Sequence, residues 1–233
     1  MKHLFIILIF SFPYAEELPF HVGEKFNYEF QFNILEAGQA SLEVIGNDTI
    51  NGHPCYNIQF IAGTSYWGDF LFTIRDTISI WIDQNTLSTR QIRKSIHEGN
   101  YHKNTDILVY EDEHYATSNG DTINIKAPVQ DPYSLFYYLR TLPLTVGDIY
   151  SFTAIDGREL TDVKLKVDRQ TRVQTPMQWW DCIKVRPYKD TGNLLKNEGE
   201  MTIWFSNDKN KYPVRIRIEL KYGSLILELL NIS

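Results

Sequence analysis

Apolar and polar residues alternate with a period of two along most of this chain. In KFNYEFQFN, Phe26, Tyr28, Phe30 and Phe32 alternate with Lys25, Asn27, Glu29 and Gln31. In TISIWID, Ile78, Ile80 and Ile82 form one face, and in VKLKV Val163, Leu165 and Val167 do the same. Near the C-terminus Val214, Ile216, Ile218 and Leu220 share a side, and after Gly223-Ser224 the alternation resumes with Leu225, Leu227 and Leu229. Successive side chains of a strand point to opposite faces, so this pattern predicts half-buried antiparallel strands. Turn signals separate them: GNDTINGH, SNGD, IDGREL and SNDKNKYP. About ten to twelve strands joined mostly by hairpins predict an all-β fold, a large antiparallel barrel or strongly curved half-barrel.

One segment departs from that period. In VQDPYSLFYYLR, residues 129–140, Leu135, Tyr138, Leu139 and Leu142 recur at helical spacing. Asp131 suits an N-cap, Pro132 the first helical position, and Pro143 ends the run. The spacing predicts one short helix over about residues 132–142. Three turns do not hold alone in water, so the helix must bury its apolar stripe on the sheet, across an open end or inside the concave face.

The N-terminus changes the compartment. A basic start at Lys2, an apolar run from Leu4 to Phe12 and the small residue Ala15 read as a secretory signal peptide, residues 1–15. The run is well short of the roughly 20 residues that span a bilayer, and no later segment is long and apolar enough. Residues 16–233 are expected to form a single β-barrel-like domain, periplasmic or secreted, with no transmembrane segment in the mature chain. The net charge is −6 with scattered basic residues, which excludes nucleic acid as an expected partner. Cys55 and Cys182 are the two cysteines; an even count in an exported chain permits a disulfide, and closing so long a loop would stabilise by about 4–5 kcal/mol. By alternation each cysteine lies on the more polar face of its strand.

The helical segment followed by LPLTVGDIYSF carries a resemblance, together with FHVGEKFNYEFQFNILEAGQASLEV before it and GEMTIWFSNDKNKYPVRIRIELKYGSLILEL after it. In this order the blocks resemble the bacterial family known as domain of unknown function 3108, over nearly all of the mature chain. The resemblance implies an exported protein of the Gram-negative envelope with a β-rich, barrel-like fold. It brings neither a reaction nor catalytic residues.

Catalytic motifs are absent: no Gly-x-Ser-x-Gly elbow, no phosphate-binding glycine loop and no His-Glu-x-x-His. His97 and His102, five residues apart, would fall on opposite faces of one strand and read as surface histidines; neither a metal nor a cofactor is expected. Paired carboxylates such as Asp69 and Asp76, or the run Glu111, Asp112 and Glu113, keep a carbohydrate-active enzyme as an alternative. Aromatic residues make up 14% of the chain, and several stand among polar neighbours where they would stack on sugars or line an amphipathic pocket. The ligand-binding candidates are Tyr66, Trp67, Asp131, Tyr133, Tyr137, Arg140 and Trp204. The reading favoured is non-enzymatic: binding or chaperoning of an amphipathic envelope lipid or glycan in the concave face beneath the helix. A structural partner in an envelope complex, docking through a sheet edge, is a third reading.

Overall fold

A computed structural model of the chain describes residues 17–70, 72–126, 128–192, 194, 199–221 and 223–233, so the expected signal segment lies outside the described residues. The alternating segments become strands: in β1 (Lys25–Phe32) Phe26, Tyr28 and Phe30 are buried on one face. The first run continues through β2 (Leu35–Ile50), β3 (His53–Thr64), β4 (Arg75–Asp83), β5 (Thr89–Glu98), β6 (Tyr101–Tyr110), β7 (Tyr115–Ser118) and β8 (Asp121–Asn124). After β9 (Val129–Gln130) comes a second run of β10 (Ile149–Asp156), β11 (Glu159–Gln174), β12 (Trp179–Tyr188), β13 (Met201–Ser206), β14 (Pro213–Leu220) and β15 (Gly223–Ile232). Within each run neighbours in sequence are neighbours in space. The runs join where β1 pairs antiparallel with β15, giving one 15-stranded sheet whose edges are β8 and β9. Among the described residues only the pairing of β9 with β10 is parallel.

Local chemistry sets the turns and the curvature. Asn51-Gly52 and Asn119-Gly120 both hold positive φ, 50° and 85° in the first pair and 49° and 91° in the second. Both central residues of a type I′ turn need that region, and its twist matches the strands it joins. Register shifts at Phe30/Gln31, Val44/Gly46, Trp81/Ile82 and Val167/Arg169 each place an extra residue in one strand, which bends it and coils the sheet.

Among the described residues two short helices accompany the sheet, where the sequence predicts one. The first, α1 (Tyr66–Asp69), is a single turn between β3 and β4. The second, α2 (Ser134–Thr141), falls inside the expected range but starts two residues later. Tyr137 of α2 packs in a cluster with Phe26, Ile58, Ile80 and Ile92, while Leu135 and Leu139 pack with Val167, Val185 and Phe205. The helix thus lies on the concave face and touches both runs of strands. Each such fully buried side chain is worth about 1.5–3 kcal/mol, which outweighs the cost of so short a helix.

The two sheet edges are not joined by a backbone ladder among the described residues. Side chains tie the two runs instead. Lys94 on β5 reaches Asp156 on β10 at 2.7 Å, Arg158 pairs with Asp121 on β8, and the Thr89 hydroxyl meets Ser134 of α2 at 3.0 Å. The fold is therefore barrel-like but open by hydrogen bonding.

Two expectations are corrected. Cys55 and Cys182 are free, buried thiols, with five strands between β3 and β12 in the sheet. Both are buried although they keep the polar phase of their strands: Cys55 stands opposite Asp48 and Asp83, and Cys182 opposite Thr171 and Ser206. Burial pushes the two thiols up to about 11 and about 12, so both stay protonated and unreactive near neutrality. His97 and His102 are not on one strand; they face each other across the β5–β6 hairpin with rings 4.9 Å apart.

Candidate functional site

Three of the sequence candidates serve the seating of α2. Asp131 is fully buried, and its Oδ1 accepts from the Tyr133 N–H at 2.8 Å and the Ser134 N–H at 3.2 Å, which is the work of an N-cap. Its Oδ2 accepts from Thr89 at 3.2 Å. At the other end of the helix Arg140 is 1% exposed. Its guanidinium forks onto Glu24, with Nη2 to Oε2 at 2.8 Å, and also donates to the carbonyls of Asn210 and Pro19. Rings of Phe20, Phe26, Tyr137 and Tyr212 surround it at 5.2–5.8 Å. Charge, hydrogen bonds and ring faces are thus met inside the protein. Tyr137 is fully buried edge-on to Phe20, and its hydroxyl has no hydrogen-bond partner. The space beneath the helix is filled by these side chains.

Tyr133 points elsewhere. It is half-buried, 4.7 Å from the ring of Phe60, with the Lys94 ammonium 5.9 Å from its own centroid. Lys94 stands opposite Ile78 and Thr105 in the ladder, and residues directly opposite share a face. Ile78 belongs to the concave core, so Lys94 is a cation on the concave face. The same wall carries Asp76, which accepts from the His97 N–H at 2.9 Å, and half-buried Glu98. Burial, with the Asp76 carboxyl hydrogen-bonded beside it, holds the Glu98 carboxyl above the usual carboxylate range. Burial first, and then the surrounding carboxylates Asp76, Asp131 and Asp156, push the Tyr133 phenol up, so it is a neutral hydroxyl. Apolar Phe60, Ala62 and Ile96 remain only partly buried around these groups. A half-covered apolar wall with a cation, a phenol and a carboxyl pair at its rim can hold a molecule with an apolar body and a polar head.

The remaining candidates are dispersed. Tyr66 and Trp67 sit on α1 and are exposed. Asp69, at the end of that turn, accepts twice from Arg75, at 2.7 and 3.1 Å, and from the Thr64 hydroxyl; Arg75 and Thr64 hold its carboxyl below the usual range. Asp69 and Asp76 are engaged by different partners. Trp204 lies on β13 between the Lys184 ammonium and the Arg215 guanidinium, 5.7 and 5.8 Å from its ring, and its opposite neighbours are those same residues. An open cleft of about 450 Å³ lies beside α2, where β9 covers only Thr153 and Ala154 of β10; Tyr138, Phe152 and Lys164 border it. Sequence reasoning missed Lys94, Glu98 and Glu24. Lys94 had a signal: in QIRKSIHE it takes an apolar-phase position between Ile92 and Ile96. Glu24, lying before the first strand, had none.

Among solved structures the chain is similar to a β-barrel-like protein of domain of unknown function DUF1849 from Brucella abortus. The TM-score is 0.60 at 10% identity, over 91% of this chain and 97% of the other. Two further likenesses are to a candidate lipoprotein from Parabacteroides distasonis, TM-score 0.42 at 14% identity over 91% and 96%, and to a candidate exported protein with a YmcC-like fold from Bacteroides fragilis, TM-score 0.42 at 10% identity over 93% and 98%. These likenesses concern the fold alone. A search of curated proteins gives no match. The family model described as "protein of unknown function (DUF3108)" matches residues 27–230.

Proposed function

We propose that this chain, which belongs to the DUF3108 family, is an exported envelope protein that binds an amphipathic molecule, a lipid or a glycan, without transforming it. The observation that carries the reading is Lys94. A lysine ammonium on the apolar face of a sheet is costly unless something meets it. Here Asp156 meets it from one side and the Tyr133 ring from the other, and Phe60 and Ile96 stay partly uncovered next to it. An apolar chain lying on that wall, with an anionic or hydroxylated head at Lys94 and Tyr133, would satisfy both halves.

The carboxylates favour binding over glycan cleavage. A retaining glycosidase holds its two carboxyls about 5 Å apart so that one bond fits between them. Asp76 instead accepts from the His97 N–H and lies close enough to Glu98 to raise its carboxyl, and Asp69 is paired with Arg75. Native mass spectrometry of protein recovered from the source envelope tests the reading. An amphipathic adduct is expected on the wild type, with occupancy at least tenfold lower in the double variant Lys94→Met/Tyr133→Leu. An adduct-free wild type that turns over an envelope glycan would overturn it.

A further inference from the structure

The end of the sheet that carries α1 bears an apolar tip which the ligand reading does not use. Ile34 and Leu35, at the β1–β2 turn, are 90% and 56% exposed, and Tyr66, Trp67, Phe70 and Phe72, in the β3–β4 connection, are 73%, 75%, 71% and 50% exposed. The two segments meet: the Ser65 N–H donates to the Ala37 carbonyl at 2.8 Å, and Gly68 packs so closely on that carbonyl that a Cβ would lie 1.9 Å from it. Large apolar groups so exposed, and so grouped, mark an interaction surface.

The tip is built, not loose. Ser65 caps α1 by accepting from the Gly68 N–H at 3.2 Å, and Thr64, Asp69 and Arg75 lock its base. Tyr66, Trp67 and Phe70 rest against one another with centroids 5.5–5.9 Å apart. Three features choose the occupant. The tip protrudes from two loops, so it offers no groove to an extended peptide or a helix. Its composition is that of an interfacial anchor, with Trp and Tyr beside Phe, Leu and Ile. The charges of its two segments are the Asp69–Arg75 pair and the exposed Glu36, so no cationic patch draws it to an anionic surface, which fits a zwitterionic one.

We infer that this tip inserts into the headgroup and upper acyl region of a zwitterionic lipid bilayer, and so docks the protein on a membrane with the β1–β2 and β3–β4 loops facing it. The inference stands on different residues from the ligand reading and does not depend on it.

The test is quenching of tryptophan fluorescence in the full chain by phosphatidylcholine vesicles brominated in their acyl chains. Trp67 is expected to be quenched, and Trp67→Phe should remove most of the quenching while leaving vesicle binding intact. Trp179 is a built-in control: it is 54% exposed at the start of β12, which the antiparallel ladder puts at the opposite end of the sheet. Phe70→Ser together with Trp67→Gln should weaken partitioning by about tenfold or more, with no change in the denaturation midpoint because both side chains are exposed. Equal quenching in the wild type and Trp67→Phe would overturn the inference. So would a concentration-dependent dimer in sedimentation velocity that the double variant abolishes, for then the tip covers a second copy of the chain.

Discussion

Arg140 shows how one residue can read two ways. A cation near the end of an aromatic helix looks ligand-facing in sequence, yet in the fold it is the largest fully buried side chain and Glu24, 116 positions earlier, neutralises it. Removing one member of a buried pair strands the other charge, so Glu24→Gln is expected to cost about 3–5 kcal/mol in urea denaturation. Replacing both members by methionine should cost much less than the sum of the two single changes. Glu98 offers a pH signature. Its folded pKa is raised, first by burial and then by Asp76, so the folded state takes up this proton before the unfolded chain does. The stabilisation is present at low pH and is lost as pH rises through the folded pKa. Asp69, Asp83 and Asp168, whose folded values are lowered, work in the opposite sense at lower pH, but they are common to both proteins and cancel in a comparison. Stability of the wild type relative to Glu98→Gln should therefore fall as pH rises above the ordinary glutamate range, as read from urea midpoints. A flat difference would contradict the raised Glu98 carboxyl.

At the scale of elements, legibility followed periodicity. The strands were readable because alternation is a property of the pleat, and α2 was readable because Asp131, Pro143 and the leucines mark its ends and its face. The single turn of α1 was not, since four residues carry no period; Ser65 as its cap and the fit of Gly68 on Ala37 arise only when β2 and β3 come together. The burial of the cysteines was hidden for a related reason: each keeps the polar phase of its strand, and what covers it there is not announced by the alternation in CYNIQF or WDCIKVRP. The close fit of α1 makes a prediction. At Gly68 a Cβ would meet the Ala37 carbonyl oxygen at 1.9 Å and its carbon at 2.9 Å, backbone atoms that cannot turn aside. Gly68→Ala is expected to cost about 1–3 kcal/mol and to shift the Trp67 emission, as measured by fluorescence during urea denaturation.

Across the whole molecule, two runs of strands meet at β1 and β15, the first and last strands, and α2 braces them from within. The opposite side, between β8 and β10, is held by side chains such as Lys94 with Asp156 and Arg158 with Asp121. This arrangement leaves the wall around Lys94, Phe60 and Tyr133 only partly covered, while the space beneath α2 is packed. The helix was the right landmark in the sequence, but the proposed site lies beyond its first turn, because Tyr133 faces away from the buried Tyr137 side. The most direct measurement is photo-crosslinking with an anionic lipid carrying a diazirine in its acyl chain, mapped by peptide mass spectrometry. Adducts are expected on Phe60, Ile96 and Tyr133, and should be lost in Lys94→Met. Adducts absent from these three residues and unaffected by Lys94→Met would contradict it.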